Sequence, residues 1–294
     1  MNAVKANFHT HSQFCDGKNT AEEMVIAAIE KDFDVLGFSS HCFHPLDPEI
    51  YRPFDNVWHI PAANIKSYVQ EIQRLKEKYT GQLKLFLGFE ADYLELPEYG
   101  AAIPSKEVYA EFSPDYLIGA VHFVSTDKGF FTVDHKAEVI KENLLKFYST
   151  PNGGIDGKKA VCDYFTAERN MLAKGNFDII AHPDLVRIRN GALNFFSEED
   201  SWYKEEIKAT AKAIAKAGVI AEINTGAIAR GNMDDTYPSQ QFLEMLYDNG
   251  VPVCINSDAH TTNGLDAAFD RAAEKARRAG YKELVYPHGV IVNL

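Results

Sequence analysis

The feature that most constrains this chain is an alternation that runs its whole length: short apolar, β-rich runs, each followed by a longer segment of helical period. Val4–His9, Asp34–Ser40, Leu83–Glu90, Tyr116–His122, Asp178–His182, Val219–Asn224 and Val251–Ser257 read as strands, with weaker candidates at Leu284–Pro287 and Val290–Val292. Helical patterns fall between them at Thr20–Lys31, Ile65–Lys78, Lys136–Phe147, Lys159–Lys174, Glu205–Ala217, Ser239–Tyr247 and Ala267–Ala279. Thr20 followed by Glu23 predicts a capping box, and Gly218, Gly250 and Gly280 stand where helix C-caps belong. Such alternation implies a parallel sheet covered by helices. Seven or eight units favour closure into a barrel, an open doubly wound sheet being the alternative. At 294 residues the chain suits a single barrel domain over 1–294.

The chemistry collects at one end of these strands. The first ends at His9-Thr10-His11, with Asp16 five residues on. The next four end at His41, Glu90, His122 and His182, and the last ends at Asp258-Ala259-His260. Residues i and i+2 of a strand share a face, so His9 and His11 can point into one site. Barrels draw their catalytic groups from these C-terminal strand ends. Any one of these residues alone has an ordinary structural explanation: a packed histidine, a salt-bridge partner at the barrel mouth, a helix N-cap. Nine of them on six strand ends predict a metal site. Imidazole and carboxylate donors suit Zn, Mn or Fe. Nine are too many for one ion and enough for two to three divalent ions sharing a carboxylate, the usual device for hydrolysing phosphate esters.

Composition excludes some alternatives. A formal net charge of −12 argues against a nucleic-acid surface, which needs a basic stripe. It does not exclude an anionic substrate, because bound divalent ions reverse the local charge. Cys15, Cys42, Cys162 and Cys254 have no CxxC spacing and read as reduced packing residues. With no apolar leader and no run of membrane-spanning length, a cytoplasmic protein is expected. No GxGxxG or P-loop follows any strand. Oligomeric state has no signature in the sequence.

With those residues in view, the chain resembles the PHP (polymerase and histidinol phosphatase) family. The resemblance rests on His9-Thr10-His11 with Asp16, Phe38-Ser39-Ser40-His41, Gly88-Phe89-Glu90, Gly119-Ala120-Val121-His122, Ala181-His182-Pro183-Asp184 and Ser257-Asp258-Ala259-His260. Glu222-Ile223-Asn224-Thr225-Gly226 and Tyr237-Pro238-Ser239 are similar to its histidinol-phosphate phosphatase branch, enzymes of histidine biosynthesis. The resemblance implies a distorted (β/α)7 TIM-like barrel with parallel strands and a trinuclear site. By it, His9, His11, Glu90 and Asp258 hold one ion, and Glu90 bridges to a second held by His122 and His182. Asp16, His41 and His260 hold the third. One segment departs from the pattern: Gly226-Ala227-Ile228-Ala229-Arg230 stands where many relatives have a shorter Ser-Gly-Leu-Arg stretch.

The activity so implied is that of a phosphoric monoester hydrolase acting on histidinol phosphate, by attack of metal-bound hydroxide on phosphorus. Asp258 and His260 are the candidates to hand a proton to the leaving oxygen. Arg187, Arg189 and Arg230 follow strand ends and offer forks for phosphate, or else stand as solvated loop charges. His44, with Tyr51, Phe54 and Trp58, forms either a wall around the leaving group or the packed core of a long loop. The partner expected is a small-molecule phosphate monoester, with no nucleic acid and no membrane. The rival functions are a phosphoesterase of the same fold acting on nucleotides or oligonucleotides, and a metal-dependent amidohydrolase. The latter commonly bridges its ions with a strand lysine, where this chain offers Glu90.

Overall fold

The computed structural model describes residues 4–44, 58–96 and 100–294. Seven strands form a parallel path in chain order: β1 (Ala6–Asn7), β2 (Val35–Phe38), β3 (Lys84–Asp92), β4 (Tyr116–Ala120), β5 (Ile179–Ile180), β6 (Ile220–Asn224) and β7 (Val253–Asn256). A two-residue strand, His41–Cys42, pairs with the end of β3, His41 lying opposite Glu90. Between β1 and β7 the ladder shrinks to a single parallel bridge, Thr10 with Ala259, made by His11 N to Ala259 O (2.9 Å) and Ala259 N to His9 O (3.3 Å). The barrel is therefore near-closed rather than regular. Its closing contact lies at the strand ends that carry the histidines.

The helices fall where the periodicity placed them: α1 (Ala21–Glu30), α2 (Ile65–Lys78), α3 (Ala137–Phe147), α4 (Gly157–Lys174), α5 (Ser201–Ala217), α6 (Gln240–Asp248) and α7 (Phe269–Ala279). Thr20 and Glu23 form the capping box at α1. Gly218 and Gly280 cap α5 and α7 in the left-handed region. The two weaker strand candidates pair with each other as an antiparallel hairpin, Glu283–Tyr286 with Val290–Asn293, outside the barrel path. Two further hairpins were not expected from the sequence: Leu94–Leu96 with Gly100–Ala102, and Phe123–Thr126 with Gly129–Thr132. They extend the loops after β3 and β4. All four cysteines are free thiols.

Inside the barrel, below the histidines, Tyr116 is fully buried and donates its hydroxyl to Phe8 O (2.6 Å) and Phe38 O (3.0 Å). Its ring fills the space left by Gly37 and Gly88. A Cβ on either glycine would lie within 2.5 Å of the Tyr116 side chain. The floor of the site is thus a packed aromatic layer, not a pore. No helix among the described residues is long and apolar enough to cross a membrane.

Candidate metal centre

The strand ends bring nine side chains into one cluster. Glu90, near the end of β3, is completely buried and stands among five imidazoles. Its Oε2 lies 3.0 Å from His9 Nε2, 3.4 Å from His11 Nε2 and 2.9 Å from His41 Nδ1. Its Oε1 lies 2.9 Å from His182 Nε2 and 3.4 Å from His122 Nε2. Asp258 Oδ1 is 3.0 Å from His11 Nε2 and 3.6 Å from His9 Nε2. Asp16 Oδ2 faces His260 Nε2 at 3.1 Å. His182 and Asp258 both have positive φ, +24° and +51°, at the turns that leave β5 and β7. Non-glycine residues hold such backbone only where the surroundings enforce it, commonly at functional sites.

These atoms face one another without satisfying one another. His9 Nε2, His11 Nε2, His41 Nδ1, Glu90 Oε2 and Asp16 Oδ1 are all buried and make no hydrogen bond. Buried polar atoms are normally paired, and each orphan costs free energy. A divalent cation at their common focus would satisfy them together. Four overlapping donor groups, each spanning no more than 4.8 Å, are present: His9, His11 and Glu90; Glu90, His122 and His182; His11, Asp16, His41 and His260; and His41, Asp92 and His122. This donor set fits one to three divalent ions, and its N and O chemistry suits zinc, iron or manganese.

The electrostatics agree with cation binding. Burial pushes the Glu90 and Asp258 carboxyls up, but the histidines around Glu90, and Arg230 with the histidines around Asp258, hold both well below the usual range. Burial likewise opposes protonation of His41 and His122. Neighbouring carboxylates outweigh it, Glu90 for His41 and chiefly Asp92 for His122, lifting them to about 9 and about 10. His11 goes the other way, to about 3, through burial and the nearby His260 and His41.

Two carboxylates that the sequence reading left out of the site orient the imidazoles. Glu222, buried on β6, sits 2.7 Å from His9 Nδ1. With the proton on Nδ1, the His9 Nε2 lone pair is free for the cluster. Asp92 accepts from His122 Nδ1 at 2.6 Å and His59 Nε2 at 2.9 Å, fixing His122 in the same sense. Asp92 had a signal: it is two residues past Glu90 and shares its face, but the expected strand stopped at Glu90. Glu222 had one too, as a lone acid within an apolar run.

The expected substrate contacts divide. Arg230 lines the cavity of about 210 Å³ over the cluster. It donates from Nη2 to Asp258 Oδ2 and from Nη1 to Asp258 O, both at 2.9 Å. About a third of its side chain (34%) stays exposed. Gly226 makes this approach possible, since a Cβ there would come within 2.7 Å of Arg230 Nη2.

Arg187 is a correction. It is buried outside the cavity, within 3.0 Å of Glu198 and 2.9 Å of Asp235, and donates to Thr236 O. The segment Leu185–Arg189 is a 3₁₀ turn rather than an extended loop. With three residues per turn, Leu185 and Ile188 share the face that lines the cavity, and Arg187 points inward elsewhere. Arg189 does not line the cavity either. It donates to His135 O (2.7 Å), Asn232 Oδ1 (2.9 Å) and Asp134 O (3.5 Å), tying down the rim.

His44 does not line the cavity. Its Nε2 is 3.1 Å from Glu111, and its ring packs on Tyr109 and Phe112. His41 faces the site, and His44, beyond the two-residue strand, packs away from it. Trp58 does line the cavity, while Tyr51 and Phe54 lie outside the described residues.

Comparison with known proteins agrees with this geometry. A probable histidinol-phosphatase of Schizosaccharomyces pombe is 25% identical over 292 residues, covering 94% of this chain and 87% of that protein. The histidinol-phosphatase of Bacillus subtilis is 23% identical over 276 residues, covering 92% and 99%. Among solved structures, a chain from Listeria monocytogenes superposes with a TM-score of 0.74 at 22% identity, covering 91% of this chain and 99% of the other. Histidinol phosphate phosphatase from Lactococcus lactis, solved with zinc, L-histidinol and phosphate, superposes at 0.67 with 18% identity and covers 99% of both. At those identities the two structures speak for the fold. The PHP domain model matches residues 7–226, which hold seven of the nine clustered residues, and the chain belongs to the PHP domain family.

Proposed function

We propose that this protein is a metal-dependent phosphatase that hydrolyses L-histidinol phosphate to L-histidinol and phosphate. The observation that carries the reading is a buried, multi-donor His/Asp/Glu cluster opening into a small cavity lined by Arg230. Near full-length likeness to histidinol-phosphatases supports the choice of substrate. His9, His11, Glu90 and Asp258 would hold one ion, Glu90, His122 and His182 a second, and Asp16, His41 and His260 a third.

Ions bound there would supply positive charge to the phosphoryl oxygens and acidify a water near neutral pH. The chain's own groups do the rest. Arg230 presents its guanidinium to the cavity and stabilises charge on phosphoryl oxygens. Asp258, held ionised by Arg230 and the histidines, enters as a proton acceptor. It can donate to the leaving oxygen only after taking a proton from the attacking water. His260, whose Nδ1 donates to Asp258 O at 2.9 Å, keeps its Nε2 toward Asp16 and the cavity.

Steady-state assays of the metal-replete protein test the substrate. A dianionic monoester engages Arg230 and the ions with one more charge than a diester. An ionic hydrogen bond is worth about 1.5–3 kcal/mol. kcat/KM for L-histidinol phosphate should therefore exceed that for an aryl phosphodiester by at least about ten- to a hundred-fold. A higher kcat/KM on a diester or an oligonucleotide end overturns the reading in favour of a nuclease-like one.

The arginine is tested separately. Arg230→Ala should lose about ten- to a hundred-fold in kcat/KM through the same ionic hydrogen bond, with ion content retained. Arg230→Lys should recover only part, because a point charge lacks the planar fork. Unchanged kinetics in Arg230→Ala would assign this residue to holding Asp258 alone.

A further inference from the structure

Among the described residues three carboxylates line the cavity, and two are already engaged. Asp16 faces His260 and Asp258 is held by Arg230. The third, Asp134, belongs to no donor group of the centre and forms no ion pair with a described Lys, Arg or His, although its charge favours protonation of the nearby His122. Its placement is nonetheless well defined. The hairpin Phe123–Thr126 with Gly129–Thr132 returns the chain to the cavity, where Val133 N donates to His122 O at 2.9 Å. Thr132 Oγ1 then donates to Asp134 Oδ1 at 2.5 Å. Arg189 binds the backbone oxygens of Asp134 and His135 from outside, so it steadies this loop without neutralising the carboxylate. The apolar part of the cavity lining is Trp58, Phe123, Leu185 and Ile188, with Trp58 packed on His135, the neighbour of Asp134.

A single cavity thus holds a cation-binding cluster and an arginine for an anion, a carboxylate outside the donor groups, and apolar lining side chains. A leaving group that matches it carries its own positive charge next to a ring. We propose that Asp134 is the specificity-determining residue of the site, accepting a hydrogen bond from a primary ammonium on the leaving alcohol while the ring of that alcohol lies against Trp58 and Phe123. This deepens the phosphatase reading and rests on it for the identity of the alcohol. It makes the enzyme selective for amino-alcohol phosphates over neutral alkyl phosphates, a choice that neither the ions nor Arg230 can make.

The test compares L-histidinol with its deamino analogue, 3-(imidazol-4-yl)propan-1-ol, by equilibrium binding to metal-replete protein. Inorganic phosphate is the control ligand. One charged hydrogen bond corresponds to about ten- to a hundred-fold in affinity. Wild type should prefer L-histidinol by that factor. Asp134→Asn should abolish the preference and leave the affinity for the analogue and for phosphate unchanged. In turnover, the variant should lose the same factor in kcat/KM on L-histidinol phosphate and nothing on a simple alkyl phosphate. Equal binding of the two alcohols by wild type, or equal weakening of both in Asp134→Asn, overturns the proposal. Selective amine binding in a protein that cleaves no phosphate monoester would leave the subsite standing and remove the phosphatase reading.

Discussion

Glu90→Gln should lose at least one bound ion per chain and lower kcat by about a thousand-fold, the upper range for removing one preorganised electrostatic group. The reason is local. The two Glu90 oxygens serve different sets of imidazoles: Oε2 stands near His9, His11 and His41, and Oε1 near His122 and His182. Glutamine keeps the shape, removes the charge between two cation positions and turns one oxygen into a donor that no ion can use. Five histidines would then surround a neutral amide, and an ion held between them would lack the anionic oxygens that Glu90 supplies. Elemental analysis of purified protein, with steady-state kinetics on the same preparation, reads both effects. A variant with full ion content and kcat within ten-fold of wild type would take the bridging role away from Glu90. Chelation of wild type should reproduce the loss, and added divalent ion should restore wild type but not Glu90→Gln.

Much of this centre was legible because strand ends are simple objects. An apolar run that stops at a histidine or carboxylate places that residue at a barrel mouth, and His9, His41, His122 and His182 needed no more than that. Side-chain direction within irregular segments was less accessible. Arg187 and Arg189 looked equivalent by position, yet the 3₁₀ turn Leu185–Arg189 sends Leu185 and Ile188 to the cavity and buries Arg187 against Asp235 and Glu198. The strand after Ser40 is only two residues long, too short for its periodicity to stand out, so the rotation of His44 onto Tyr109 and Phe112 left no trace. The barrel's weak seam at Thr10 and Ala259 also has no sequence signature, since it depends on how far β1 and β7 extend as a pair. Polar residues that support ligands are harder still to read. Asp92 and Glu222 differ from structural acids only in what they touch.

Glu222→Gln follows from those contacts and should act on the empty protein as well as on the loaded one. The carboxylate is completely buried and meets four groups: His9 Nδ1 (2.7 Å) and Asn256 Nδ2 (2.9 Å) at Oε1, His182 N (2.9 Å) and Asn224 Nδ2 (2.8 Å) at Oε2. An amide at this position must turn its NH₂ toward one of the two pairs. The backbone N–H of His182 cannot become an acceptor. Flipping Asn224 or Asn256 would forfeit the bonds their oxygens accept from Gly226 N and Phe8 N. His9 alone can adapt, by moving its proton from Nδ1 to Nε2, and that occupies the lone pair aimed at Glu90 and Asp258. Ion affinity should therefore fall by about ten- to a hundred-fold, the usual cost of losing a carboxylate behind a metal-binding histidine. Ion-free protein should also lose about 1–3 kcal/mol for each donor left without an acceptor. Burial raises the Glu222 carboxyl, but His9 and the surrounding donors hold it below its ordinary range. Its stabilisation is thus complete at neutral pH and lost only as the pH falls through and below that range, so measurements at pH 7 read it whole. Titration of divalent ion into ion-free wild type and variant, thermal melts of both, and ¹⁵N shifts reporting the His9 tautomer separate the two effects. A variant that melts lower but binds ions as tightly as wild type, with its His9 proton still on Nδ1, would reduce Glu222 to a packing role.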